Sequence, residues 1–393
     1  MTPSTCTIIC GAGYVSGKEI MVLQLAKGLL RQQVPVELLV SSWNDGEFPS
    51  RLQGEAIPFR RIAIGFFSSS LSWQYLRMTL EQVWRWPGLA WDYWRYLSRT
   101  KPTVVVHTNW HHLLLLLPFV RVTRDLLWLH EIVPPDAKYR RIFRLFERRV
   151  SYFACVSGAV ARSLSELGVS DGRVRVIHNG LDDPVRTHPK ADCQTTSTPI
   201  GFRVGIVGQI GEWKGHDDAV RAIGILRRQG LELELHVFGK GDPDYVESLR
   251  RLVAAEKVED LVEWHGFVSD RSSIYDNLSV CVVPSRFEEP FGLTALEPGF
   301  FSVPVIATRC GGLPEVVEDG VTGILVDPGS PVQVASALQL LFEDSSLRRS
   351  LGASARARGL ERFGAARFVG DFAELLREIS SRQRPSGPFE RAN

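Results

Sequence analysis

Residues 284–299 read PSRFEEPFGLTALEPG, directly after the apolar run Val280–Val283. The apolar run is expected to be a strand, and a helix is expected to begin near Gly292. That helix would point its N-terminal amides toward a ligand, and such an end favours phosphate. Glu289 stands just before the Phe-Gly step, at the mouth of the loop. Glu297 follows eight residues later, about two turns down. One carboxylate could hydrogen-bond sugar hydroxyls and the other a ribose diol. Taken alone, such a pair is more often an acid that stabilises the helix dipole plus an unrelated surface glutamate. The surroundings decide between the two.

Working outward, the same strand–loop–helix grammar fills the second half of the chain. A strand at Phe202–Val207 runs into GQIGEWKG and a helix around Asp217–Arg228, with further strands at Leu233–Phe238, Val262–His265 and Val303–Ala307. The first half repeats the pattern. Thr7–Cys10 leads into GAGYVSGKE, then a helix with Ile20, Leu23, Ala26, Leu29 and Leu30 on one face, then a strand at Pro35–Val40. Strands are expected at Thr103–His107, Leu126–His130, Tyr152–Val156 and Val174–Ile177. Short strand–helix–strand connections mark parallel, doubly wound sheets. Residues 184–199, PVRTHPKADCQTTSTP, interrupt the grammar with prolines and small polar residues. The expected organisation is therefore an α/β domain over 1–184, a linker over 185–199 and a second α/β domain over 200–362. Residues 363–393 would hold an amphipathic helix, Phe368–Ile379, and a frayed tail.

A chain of 393 residues suits two domains, and its 44% hydrophobic and 23% charged residues are those of an ordinary globular protein. Net charge is +2, unevenly divided: residues 1–184 carry 22 Lys/Arg against 15 Asp/Glu. The basic half could attract an anionic partner, though no nucleic-acid recognition motif accompanies it. Six scattered cysteines, with no CxxC pair, fit reduced thiols in a cytoplasmic protein. The N-terminus lacks the pattern of a signal peptide, and the longest apolar stretch, Leu113–Val120, is too short to cross a bilayer.

The motifs resemble those of the family 4 retaining glycosyltransferases, which have the GT-B fold. The resemblance rests on the Glu289-x7-Glu297 spacing around PFGL, on GQIGEWKG (208–215) and on TRCGGLPEVVEDGVTGILVDPG (308–329), with ACVSGAVARSL (154–164) and VIHNGLDD (176–183) in the first half. It implies two Rossmann-like domains facing each other across a cleft, the first for the acceptor and the second for the donor. The C-terminal helix would cross back to the first domain.

By that resemblance Lys214 neutralises the donor diphosphate, Glu289 contacts the transferred sugar and Glu297 the nucleotide ribose. Phe291, Gly292 and Leu293 offer backbone amides to sugar or phosphate. Gln209 departs from the pattern, since relatives carry an arginine there as a second phosphate clamp. Arg203 and Arg286 are candidates for the missing charge. In the first half, Gly17 would let the backbone approach the donor phosphates, His130 would be the active-site histidine, and His107 would line the cleft. Transfer would retain anomeric configuration and need neither a cofactor nor a divalent metal. Asp242-Pro-Asp244 is formally a DxD metal motif, but turn-forming Asp and Pro account for it.

The donor would be a UDP-, GDP- or ADP-sugar carrying a hexose, and the acceptor a glycan or a lipid-linked molecule. Residues 72–97 hold five tryptophans and three tyrosines interleaved with arginines. Trp73, Leu76, Leu80 and Val83 would share one helical face, and Trp91, Trp94 and Leu97 another beyond a break at Pro87. Such a stretch could rest on an anionic membrane surface. A GT-B-fold epimerase and a non-catalytic nucleotide-sugar binder are the alternatives.

Overall fold

The computed structural model describes residues 5–11, 15–65, 73–184 and 201–382. Residues 12–14, residues 185–200 with Cys193, Ser72, the side chains of Trp73 and Leu76, and the residues from 383 on lie outside the described residues. The chain forms two compact units, one of Met1–Gly180 with Ala365–Asn393, the other of Leu181–Gly364.

The first unit is built on seven strands: β1 Cys6–Cys10, β2 Val36–Ser41, β3 Phe59–Ile62, β4 Val104–His107, β5 Asp125–Leu129, β6 Phe153–Cys155 and β7 Val174–Val176. They pair in parallel in the order β3-β2-β1-β4-β5-β6-β7. β1, β4, β5 and β6 are buried along their whole length. Helices on both faces leave no solvated side, so the strands are apolar without alternation. The helix Ala365–Ser381 belongs to this unit and buries Phe368, Val369, Phe372 and Leu376. It lies so close to the helix Gly17–Arg31 that a Cβ on Gly28 would sit 2.2 Å from Val369 Cγ2.

The helix Trp73–Thr100 runs unbroken through Pro87, where the sequence suggested a break. Proline removes the hydrogen bond to the carbonyl of Val83. Both residues face solvent, so water replaces the lost donor. Continuity also rearranges the faces. Leu89, Tyr93 and Tyr96 are buried, and Leu97 packs beside them, while the Trp86 indole N–H donates to the Leu115 carbonyl at 2.9 Å. Leu80, Val83, Trp84, Trp91 and Trp94 form a single outward stripe.

The second unit has six parallel strands: β8 Arg203–Val207, β9 Glu234–Phe238, β10 Val262–Gly266, β11 Val280–Val283, β12 Val305–Thr308 and β13 Gly323–Val326. Their order is β10-β9-β8-β11-β12-β13. Val204, Val237, Val282 and Ile306 from the sheet join Val220, Ile223 and Leu338 from the helices in one core. In each sheet the strand order reverses direction at one point, between β1 and β4 and between β8 and β11. Doubly wound sheets bind ligands beyond the carboxyl ends of the strands at that switch point.

Candidate functional site

In the second unit the loops that leave β8 and β11 meet at the switch point. The β8 loop ends in a single turn, Glu212–Lys214, closed by Gly215 at φ +67°. A Cβ on Gly215 would lie 1.9 Å from the Pro284 carbonyl oxygen, so only glycine lets the two loops touch. The Arg286 backbone N–H then donates to the Trp213 carbonyl at 2.9 Å, fastening one loop to the other.

That contact brings Lys214 and Glu289 together: the ammonium pairs with Glu289 Oε1, which also accepts from the Ser285 hydroxyl at 2.7 Å. Both side chains are mostly withdrawn from water, with 22% of Lys214 and 12% of Glu289 exposed. The pair is held from below by the segment after β12. Thr308 Oγ1 donates to the Ser285 carbonyl at 2.7 Å, and the Gly312 N–H donates to the Glu289 carbonyl at 2.7 Å.

The helix beyond this loop spans Leu293–Phe300, with Gly292 as its left-handed N-cap at φ +99°. The first internal bonds are donated by Ala295 and Leu296 to Gly292, so the N–H groups of Leu293 and Thr294 have no intrahelical acceptor. Phe291 is buried against Phe363. Glu297 stands one turn into the helix rather than two, because the first helical residue is Leu293. Its Oε1 pairs with Arg271 at 3.0 Å and its Oε2 accepts from the Tyr275 hydroxyl at 3.0 Å.

Gln209 is exposed on the loop that leaves β8. Neither candidate for the missing arginine charge supplies it. Arg286 is bound to Asp217 at 2.6 Å and to Asp218 at 2.7 Å, and Arg203 to Glu234 at 3.1 Å. Asp242 caps the helix Pro243–Glu256 by accepting from the backbone of Asp244 and Tyr245, which gives the DxD a structural task. Lys240 lies 5.8 Å above the ring of Phe267, which is 60% exposed, on the loops that follow β9 and β10.

In the first unit, Gly17 is exposed at the start of its helix. Glu19 closes a capping box with Ser16, and its other oxygen lies 3.3 Å from Lys18 Nζ. His130, at the end of β5, packs 4.3 Å from the Trp128 ring. Burial first, and then the Lys18 charge, hold its imidazole well below the ordinary histidine range, so it is neutral at physiological pH. His107 does not line an open surface. It is fully buried and its Nε2 hydrogen-bonds Asp125 Oδ1 at 2.8 Å, because β4 and β5 are adjacent and Asp125 is itself fixed by Arg124 at 2.9 Å.

Sequence reasoning missed Ser285, Arg271, Tyr275 and Lys18. Ser285 was legible in principle, four residues before Glu289 in the same loop, and Lys18 adjoins the glycine singled out. Arg271 and Tyr275 belong to a five-residue helix that carries no motif.

Residues 201–358 match the family described as Glycosyl transferases group 1, and residues 15–183 match Glycosyltransferase Family 4. A D-inositol 3-phosphate glycosyltransferase of Paenarthrobacter aurescens is 27% identical, across 94% of this chain and 95% of the relative. Another from Xylanimonas cellulosilytica is 34% identical across 55% of this chain and 54% of its own. Among solved structures, Anabaena HepE in complex with UDP and glucose superposes with a TM-score of 0.78 at 21% identity, covering 95% of this chain and 100% of that one. The sucrose-phosphate synthase of Thermosynechococcus elongatus reaches 0.78 at 20% identity over 96% and 99%.

Proposed function

Because the chain belongs to the family 4 glycosyltransferases, with a GT-B fold of two parallel-sheet units, we propose that it transfers a hexose from a nucleotide-sugar donor with retention at the anomeric carbon and without a divalent metal. The observation that carries the reading is the Lys214–Glu289 pair at the β8/β11 switch point, beside the N-terminus of the Leu293–Phe300 helix. When the bond from the anomeric carbon to the donor phosphate breaks, negative charge collects on the leaving diphosphate. Lys214 and the helix amides supply fixed positive charge there. The acceptor oxygen forms the new bond to the anomeric carbon, and its proton passes to the departing phosphate. Glu289 binds sugar hydroxyls, and Glu297, held by Arg271 and Tyr275, faces the ribose. The exposed Phe267 ring beside Lys240 offers a surface on which a base can stack. His130, neutral, stands in the acceptor-side unit as a hydrogen-bonding group, and Gly17 opens the helix that follows β1. The five buried, free thiols of the described residues suit a cytoplasmic enzyme.

The test is a donor panel of UDP-, GDP-, ADP- and dTDP-sugars with and without EDTA, reading thermal shift and nucleotide release together. A cyclitol phosphate and a lipid-linked saccharide serve as acceptors. A shift with one donor and release that survives EDTA is the expected result. Isomerised donor without release would make the chain an epimerase, and a shift with no turnover a binder. No shift with any donor would sink the reading.

A second reading concerns the partner. Among the described residues no helix is long and apolar enough to cross a membrane. The helix Trp73–Thr100 nevertheless turns a stripe outward in which Trp84 is 86% and Trp91 60% exposed, flanked by Arg77, Arg85, Arg95 and Arg99. Aromatic rings beside cations suit an anionic lipid surface, which would bring a lipid-linked acceptor to the first unit. Replacing Trp84 and Trp91 together by serine is expected to weaken co-sedimentation with phosphatidylglycerol vesicles by roughly tenfold or more. Absence of wild-type binding to those vesicles would end this reading.

A further inference from the structure

At the edge of the second sheet, away from the β8/β11 switch point, four ionisable side chains share one face of β9 and β10. Residue 263 pairs in register with residue 236 across the two strands, and residues two apart on a strand point the same way. Glu234, His236, Glu263 and His265 therefore converge. His236 Nδ1 lies 2.9 Å from His265 Nε2 and 3.3 Å from Glu263 Oε2. His236 Nε2 lies 3.3 Å from Glu234 Oε2, and His265 Nδ1 lies 3.8 Å from Glu263 Oε1.

The protons decide what this cluster can do. A neutral imidazole carries one N–H. Two carboxylates stand at the outer nitrogens: with the His236 proton on Nε2, facing Glu234, and the His265 proton on Nδ1, facing Glu263, the inner nitrogens are left to bind. His236 Nδ1 and His265 Nε2 are then two lone pairs aimed at one another, with a Glu263 oxygen beside them. Three electron-pair donors meet with no hydrogen between them. In that arrangement a cation can take the place of the single proton that would otherwise join the two rings.

We propose that His236, His265 and Glu263 form a binding site for a divalent ion of the zinc class, which clips the edge strand β10 to β9. Two imidazoles and a carboxylate are a donor set that zinc takes, and tetrahedral ligands about 2.0–2.1 Å from the metal lie about 3.4 Å apart. The separations of His236 from His265 and from Glu263 need open by only a few tenths of an ångström, and all three ligand atoms lie within 4.8 Å of one another. Glu234 is the outer carboxylate that fixes the tautomer of a metal-binding histidine. Arg203, bound to Glu234 at 3.1 Å, is neutralised by it rather than opposing the metal. Glu263 is 65% exposed, which gives the ion a path in and leaves a fourth position to water. The three ligands come from two strands, so binding stabilises the folded chain by mass action. The ion is no part of sugar transfer, and the site stands or falls independently of the donor reading.

The experiment uses the full chain without an affinity tag, stripped with chelator and titrated with zinc against a fluorescent competing chelator. One equivalent is expected to bind, with a rise in thermal midpoint. Glu234→Gln is expected to weaken binding roughly 10–100-fold, the range of an outer-shell change, and His265→Ala by more than that. The exposed Glu263→Gln keeps the question open to refutation if His265→Ala does not fold. No equivalent in the wild type, or an equivalent undiminished in His265→Ala and Glu263→Gln, would overturn the site.

Discussion

Replacing Lys214 by alanine is expected to lower turnover by roughly 10²–10³, the loss that follows removal of one preorganised charge-stabilising group. The thermal midpoint should fall by only a few degrees. The two effects separate because the lysine supports the fold and the reaction through different neighbours. In the free protein it pairs with Glu289, which keeps a second donor in Ser285 and remains 12% exposed. Losing one partner of a partly solvated pair costs about 1–2 kcal/mol, or about 2–8 °C for a domain of this size. In the transition state the same ammonium faces a diphosphate that has gained charge, and water cannot replace it without reorganising. The fall should therefore appear in kcat and not chiefly in KM. Glu289→Gln completes the test. If the pair acts as a unit, the double variant should be little worse than the worse single one. A Lys214→Ala protein that loses fold and activity in equal measure would show that the lysine is a structural ion pair and no more.

The fold was legible because its central strands are buried along their whole length and therefore read as short apolar blocks, VVVH and VCVV among them. Gly292 as the start of a helix was legible for a related reason: a glycine after Phe291 and before a helix-forming run fits a left-handed cap. What pairs with what was not. Arg286 sits inside the motif that contains Glu289, yet it turns to Asp217 and Asp218, some 70 residues earlier. His107 and His130 look alike in sequence, each ending a strand. Their fates differ because β5 places Asp125 against the first, whereas the second packs on Trp128 and its Nε2 has no hydrogen-bond partner among the described residues. Periodicity places a side chain on a face. It does not report which charge waits on the neighbouring strand. Pro87 misled for a local reason, since a proline on the wet side of a helix costs one hydrogen bond that water restores.

Gly311→Ala is expected to lower turnover about 100-fold although residue 311 lies outside the charged pair. Its backbone sits at φ +56°, and a Cβ there would come within 2.1 Å of the Glu289 carbonyl oxygen and 2.5 Å of its nitrogen. Both contacts are with main chain, so no side chain can swing aside. The Ser285–Phe291 loop would have to move by roughly 1 Å, and displacements of that size in a positioning element cost about 10² in rate. Stability should fall too, by about 1 kcal/mol for the left-handed conformation and a further 1–3 kcal/mol for the clash. Gly320→Ala separates the two contributions. It has nearly the same backbone, φ +71°, but nothing within 4 Å of the added methyl. That variant should lose only the conformational part and keep its turnover. Equal behaviour of the two variants would mean that the Thr308–Gly312 segment does not set the position of Glu289. A rate loss confined to Gly311→Ala would make the close packing of two backbones, which only glycine permits, a requirement of the reaction and not only of the fold.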